Sequence, residues 1–208
     1  MKFRLTYAGP LMSSGNDNKD RKGPHKHDLR MAFHPQLKRL WETVPFLKAG
    51  RSSYNGSTWA PVDTIPEPKY DPKLRAAKFK VGSWNFVPLI TEDMEFYCSL
   101  EILFLRVGSR KALLNQGDLD GRLKTLLDAL SMPTLTQDYT FALTPGSNPL
   151  NVLLENDRQV TKISIETDVL LESTHAQSPS KYEAHDVRLI IAINISPVEP
   201  ANWSMPFL

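Results

Sequence analysis

Two carboxylates stand one residue apart at the start of a leucine-rich segment, GDLDGRLKTLLDAL, residues 117–130. Asp118 and Asp120 repel each other at this spacing, which costs free energy unless a cation or another positive group lies between them. Lys124 follows Asp120 by one helical turn and so shares a helix face with it. A helix cap that suits the macrodipole explains one of the two acids readily, but it explains the second less well.

A third acid, Asp157 in the segment ENDRQV, precedes a predicted strand. The ends of helices and strands are where loops present functional groups. Carboxylate oxygens without histidine or cysteine suit Mg²⁺ or Mn²⁺ rather than zinc. One such ion, or two about 3.5–4 Å apart, polarises a phosphodiester and activates water, and Lys124 would stabilise charge on a phosphate oxygen. The alternative is that these acids are ordinary solvent-exposed residues at the ends of helices and strands, with no role in binding a metal.

Apolar periodicity predicts the elements that must position these residues. The alternating or continuous apolar segments KFRLTY, EFYCSLEILFLR, VTKISIETDVLL and VRLIIAINI predict four strands. VTKISIETDVLL alternates apolar and polar residues, which predicts burial of one face only. One helix is expected over residues 117–130, where leucines recur at helical spacing before Pro133, and a short one from His34.

This order predicts an α+β fold, a mixed β-sheet with packed helices. The 208 residues suit a single domain over 1–208. Residues 50–94 and 131–151 are interpreted as variable insertions or loops, because proline and glycine interrupt them. Residues 16–30 are predicted to form a polar, basic loop.

Composition excludes several classes of protein. No stretch approaches the roughly 18 apolar residues of a membrane span, and the first residues do not resemble a signal peptide, so we expect a cytoplasmic protein without a membrane partner. The single cysteine, Cys98, lies in an apolar strand, where a buried thiol is expected rather than a nucleophile. The tryptophans are expected to pack within the protein rather than to stack on nucleic-acid bases. The five histidines show no metal-binding spacing, and His25 and His27 are expected on the surface.

The net charge of +2 does not by itself indicate a nucleic-acid partner. Basic residues are concentrated in two segments, however, and these are the candidates for contact with DNA phosphates. They are Lys19, Arg21, Lys22, Lys26, Arg30, Arg106, Arg110 and Lys111. A run of charge is also typical of an ordinary solvated face, so both interpretations stay open.

The segment GDLDGRLKTLLDAL, followed later by ENDRQV and a strand, resembles the RusA family of Holliday junction resolvases, whose pattern is D-x-D-N-x-x-K-x-x-x-D-x-L. The resemblance covers mainly residues 86–171. It implies that Asp118, Asp120 and Asp157 bind the metal and that Lys124 is the catalytic lysine. Two positions depart from the pattern: Gly121 replaces the family's asparagine, and Asn156 replaces the first acid of the later pair.

The resemblance implies a Mg²⁺-dependent (or Mn²⁺-dependent) endonuclease that selects branched DNA by its structure and hydrolyses phosphodiesters during recombination and repair. It also implies a homodimer. One alternative is a nucleic-acid-binding or protein-binding module that keeps the fold without catalysis, which Gly121 and Asn156 favour. Another is a metal-dependent nuclease for a different branched or single-stranded nucleic acid.

Overall fold

The computed structural model describes residues 1–13, 19–44, 47, 52–54, 59–61, 72–106, 119–134, 141–171 and 186–198. The strands within these ranges are β1 Lys2–Pro10, β2 Ser52–Tyr54, β3 Trp59–Pro61, β4 Lys80–Val81, β5 Trp84–Ile90, β6 Phe96–Arg106, β7 Leu150–Leu154, β8 Val160–Val169 and β9 Asp186–Pro197. The α-helices are α1 Lys19–Thr43, α2 Pro72–Lys78 and α3 Leu119–Leu130. Short 3₁₀ helices occupy Glu92–Met94 and Asp157–Gln159.

The main sheet has the strand order β1-β9-β6-β8, in which β8 runs parallel to β6 and the other neighbours are antiparallel. Alternate residues of β6 and β9, such as Leu100, Phe104 and Ile191, are fully buried on one face. Apolar side chains of α1 and α3, including Phe33 and Leu126, join them in one core. The helices therefore pack on a mixed sheet, as an α+β fold requires.

A second mixed sheet has the order β4-β5-β7, with β5 and β7 parallel. Its core contains the fully buried Trp84 and Phe86. The sequence interpretation placed β5 within the variable segment 50–94, because Pro88 suggested a break. The strand tolerates Pro88 because β4 pairs only with Trp84 and Asn85, so β7 is the only described strand beside Pro88.

Helix α1 is the largest difference from the predicted elements. The sequence predicted a basic loop to residue 30 and a short helix from His34, whereas one helix of 25 residues contains Pro24 and Pro35. An interior proline costs about 3 kcal/mol because it removes a hydrogen bond and crowds the preceding turn. Burial of Leu29, Phe33 and Leu37 against the core offsets that cost.

Strand β8 is present where the sequence predicts it, but the prediction that one face is buried is wrong. None of its ten residues is buried, and Ile163 is 37% exposed. Strand β8 ends the sheet order among the described strands, and only Val160 and Ile165 of its apolar residues pack against the core, where they are half-buried. Among the described residues, no helix is long and apolar enough to cross a membrane.

Candidate metal and phosphate site

Helix α3 presents Asp120 and Lys124 to solvent. Asp120 lies in the first turn and Lys124 one turn later, and both are exposed. Leu126 and Leu130 of the same helix are buried in the core, which fixes its rotation. The prediction that Asp120 and Lys124 share one face of the helix is therefore confirmed, and the structure adds that both residues are exposed. Asp118 lies outside the described residues.

The far end of α3 is held by α1. The Lys26 ammonium lies 2.6 Å from the Asp128 carboxylate. Arg30 is buried, and its guanidinium donates to the carbonyl of Ser131 at 3.0 Å and to that of Asp128. These contacts place the C-terminal end of α3 against α1 and leave the Asp120 end outside this clamp.

The basic segments are thus only partly surface features. Lys26 is partly exposed although paired, whereas Arg30 and Arg106 are buried. This burial argues against direct contact of Arg30 or Arg106 with phosphate, which sequence position alone could not indicate. The backbone of α1 includes the other three basic residues of the first segment, and the remaining two of the second segment lie outside the described residues. Those five are Lys19, Arg21, Lys22, Arg110 and Lys111.

Asp157 is exposed at the start of a 3₁₀ turn that is capped from within the segment ENDRQV. The Asn156 Oδ1 accepts a hydrogen bond from the Arg158 N–H at 3.0 Å. The Gln159 Oε1 in turn accepts one from the Asn156 N–H at 3.2 Å. This reciprocal capping box fixes the turn and directs Asp157 outward. Asparagine caps as well as aspartate does, so Asn156 preserves the turn while omitting the charge.

The turn is also attached to the start of the other 3₁₀ helix. The Glu155 Oε2 accepts a hydrogen bond from the Glu92 N–H at 2.8 Å, and the Glu155 N–H donates to the Ile90 carbonyl at 2.9 Å. Glu155, which precedes Asp157 by two residues in the sequence, is therefore engaged with the backbone after β5. Its contacts indicate a role in holding the turn.

Among the described residues, no three histidine, cysteine, aspartate or glutamate side chains form a group that could hold a metal ion. Asp120 and Asp157 are both exposed at the ends of elements, but the proposed third ligand, Asp118, lies outside the described residues. The three-carboxylate site therefore stays a prediction.

Comparison with protein-family models, curated proteins and solved structures finds no match for this chain. The resemblance to RusA resolvases therefore rests on the motif residues themselves.

Gly121 is buried on the inner side of α3, although it directly follows Asp120. An asparagine at this position would direct its amide toward the interior. We therefore do not expect the substitution Gly121→Asn to place an amide beside the exposed Asp120 carboxylate.

The N-terminal histidines are buried, so the prediction that His25 and His27 lie on the surface is wrong. The His25 Nε2 accepts a hydrogen bond from the Met12 N–H at 3.1 Å, and the His27 ring stacks on Phe141 with centroids 4.4 Å apart. The His34 Nδ1 accepts one from the Asn151 N–H at 2.9 Å. The spacing of seven residues between His27 and His34 signals a shared helix face, once helix replaces loop over this segment.

We expect acid to weaken the fold through these histidines. Burial lowers the pKa of His27 and of His34 below the usual histidine value. The unfolded chain therefore binds more protons than the folded chain once the pH falls below about 6.5. The stability that depends on neutral His27 and His34 is therefore fully present above that pH and is lost progressively below it. Urea denaturation at a series of pH values measures this change in the free energy of unfolding.

The matched control is His27→Phe combined with His34→Gln, which keeps ring stacking and a hydrogen-bond acceptor while removing both titrating groups. The slope of stability against pH between 5 and 6.5 should flatten in this variant, whatever its overall stability. An unchanged slope would assign the acid sensitivity to other groups.

Proposed function

We propose that this protein is a Mg²⁺-dependent endonuclease that selects branched DNA by its structure and acts as a homodimer, as the resemblance to RusA resolvases implies. The observation that carries the proposal is the exposed pair Asp120 and Lys124 on one face of α3, which begins one residue after Asp118 in the sequence. The capped turn that directs Asp157 outward supports it. A role in recombination and repair and a cytoplasmic location belong to the same proposal.

In this proposal Asp118, Asp120 and Asp157 hold the ion, and their hard oxygen donors suit Mg²⁺ or Mn²⁺. When bound, the ion supplies polarisation of the phosphodiester and a more acidic water. Lys124 binds the non-bridging phosphate oxygen on which negative charge increases. The capping box of Asn156 and Gln159 orients Asp157 without touching DNA.

The test is cleavage of an end-labelled synthetic four-way junction by the full chain. We expect products in Mg²⁺ or Mn²⁺, none in EDTA, and slower cleavage of a linear duplex of the same sequence. A chain that cleaves neither substrate in any of these metals contradicts the proposal.

A second candidate is a nucleic-acid-binding module without catalysis. It is favoured by Asn156, whose amide completes the cap without supplying a charge. Junction binding without cleavage in the same assay would select this candidate.

We expect affinity for DNA to fall steeply with salt. Lysine and arginine contacts to phosphates release counterions, with a slope of about −0.9 in log affinity against log salt for each phosphate neutralised. The variant Lys19→Glu with Lys22→Glu should bind more weakly to all sequences and lower the slope, as fluorescence anisotropy would measure. Lys38→Glu, an exposed change elsewhere on α1, is the control. Equal slopes of log affinity against log salt in the wild type, the double variant and the control would indicate that the first basic segment does not contact phosphate and is only a solvated surface.

A further inference from the structure

Strand β8 has a free edge in the part of the chain that the structure describes. It pairs with β6 on one side and ends the strand order of the main sheet among the described strands. All ten of its residues are exposed or half-buried, including the apolar Ile163 and Ile165. Ile163 is exposed, whereas Ile165 packs against the core. A long edge strand with an exposed apolar residue is a template for pairing with another strand.

The backbone groups that face this free edge can be assigned. The Leu170 N–H donates to the Arg106 carbonyl at 2.7 Å, so Leu170 faces β6. Backbone groups alternate in direction along a strand, so Ile163, Ile165 and Thr167 direct their N–H and C=O groups toward the free edge. Their side chains lie on the core face of the sheet, since Ile163 and Ile165 are in register with the buried Leu100 and Ile102.

The sequence of β8 is complementary to itself when it is reversed about Ser164. Antiparallel pairing of two copies in this register places Lys162 opposite Glu166 of the second copy. It also places Ile163 opposite Ile165 and Thr161 opposite Thr167. Two-fold symmetry repeats each pair, so the Lys162–Glu166 pair occurs twice and both are attractive, while Asp168 lies opposite Val160. Opposite charges, β-branched pairs and Thr–Thr pairs are those that stabilise neighbouring strands.

We propose that two copies of this chain associate through β8, in antiparallel register about Ser164, so that their main sheets join into one sheet of eight strands. The two-fold axis stands normal to the sheet. Both copies then keep α3 on the same side of the joined sheet, because α3 packs on the core face of each. The proposal identifies the surface of the homodimer and does not depend on nuclease activity.

One neighbouring register competes. Pairing about Ile165 places Lys162 opposite Asp168 of the second copy, which is also attractive, but it sets Ile163 against Thr167 instead of a second isoleucine. The register about Ser164 matches apolar with apolar and hydroxyl with hydroxyl on the same face, and it is the one we assign.

Charge reversal tests the association. The dimer dissociation constant of the full chain is measured by sedimentation equilibrium for Lys162→Glu, for Glu166→Lys and for the two changes together. Each single reversal replaces two attractive pairs with two repulsive ones and should raise the constant about 10-fold or more. The double variant restores opposite charges and should recover the wild-type constant. Because both side chains are exposed, the fold should be unaffected.

A monomer of 23.5 kDa at high concentration would overturn the proposal. Lys162 would then be interpreted as a charge that protects the edge strand from pairing. A dimer whose constant is the same in all four proteins would also overturn it, because association would then use another surface. Neither outcome depends on whether the protein cleaves DNA.

Disulfide trapping tests the register. Ser164→Cys places two thiols directly opposite each other in a pair whose backbone groups face away from the partner, where side chains approach most closely. It should form a covalent dimer under mild oxidation. The native Cys98 does not interfere, because it is fully buried and burial raises the pKa of its thiol to about 12.

Glu166→Cys is the matched control, since its thiols lie four residues out of register and should stay unlinked. Trapping at Ile165→Cys but not at Ser164→Cys would overturn the assigned register. Equal trapping at Ser164→Cys and Glu166→Cys would indicate random collision and overturn the specific pairing.

Discussion

The substitution Asp120→Asn should lower the rate of four-way junction cleavage by more than the 10- to 100-fold that is typical when a group supporting a metal ligand is lost, because Asp120 is itself a proposed ligand. The change keeps the size of the side chain and removes one of the three charges assigned to the ion. Junction affinity should be unchanged or tighter, since a negative charge near phosphate disappears. Cleavage is measured as single-turnover rates across a Mn²⁺ titration, and affinity is measured in Ca²⁺.

The control for Asp120→Asn is Asp128→Asn, an identical change two turns along the same helix border. Asp128 is ion-paired with Lys26 at the clamped end of α3. Loss of a partly exposed pair costs up to about 1 kcal/mol of stability, and the cleavage rate should stay near that of the wild type. Equal loss of cleavage in both variants would show that the charge of the helix border, rather than a ligand at Asp120, supports activity.

We expect Arg30→Ala to destabilise the fold by about 2–4 kcal/mol, because two carbonyls at the end of α3 lose a buried charged donor. The donor is the guanidinium that contacts Asp128 and Ser131. Urea denaturation measures the difference in free energy of unfolding. Under conditions where the variant is still folded, its affinity for DNA should match that of the wild type.

Lys38→Ala, on the same helix but exposed, should stay within about 0.5 kcal/mol of the wild type. If Arg30→Ala instead left stability unchanged and weakened DNA binding, Arg30 would be a phosphate contact rather than a clamp.

Strands and helices with a strong apolar pattern could be predicted from the sequence, whereas those that depend on tertiary packing could not. Strand β6 and helix α3 carry continuous or periodic apolar residues, and both lie where the pattern predicts them. Helix α1 contains Pro24 and Pro35, whose local cost is offset only by packing against the core. Strand β7 was missed because its five buried residues are too few to show a period.

The same division holds at the candidate site. Helical spacing correctly places Asp120 and Lys124 on one face of α3, and the structure shows that both are exposed. The burial of Arg30 could not be predicted, because its acceptors lie 98 and 101 residues away in the sequence. The capping role of Asn156 and Gln159 is local and has a sequence signature, a polar cap residue followed three positions later by glutamine.

Asp157 lies in the segment where the chain passes from one sheet to the other. Strand β7 belongs to the second sheet and β8 to the main sheet, and β5 and β6 make the same passage beside them. The Glu155 side chain joins the two crossing segments through the Glu92 N–H. The position of Asp157 relative to α3 therefore depends on the angle between the sheets. We therefore expect a core substitution in the second sheet such as Phe86→Leu, far from Asp157 in the sequence, to shift the Asp157 carboxylate relative to α3.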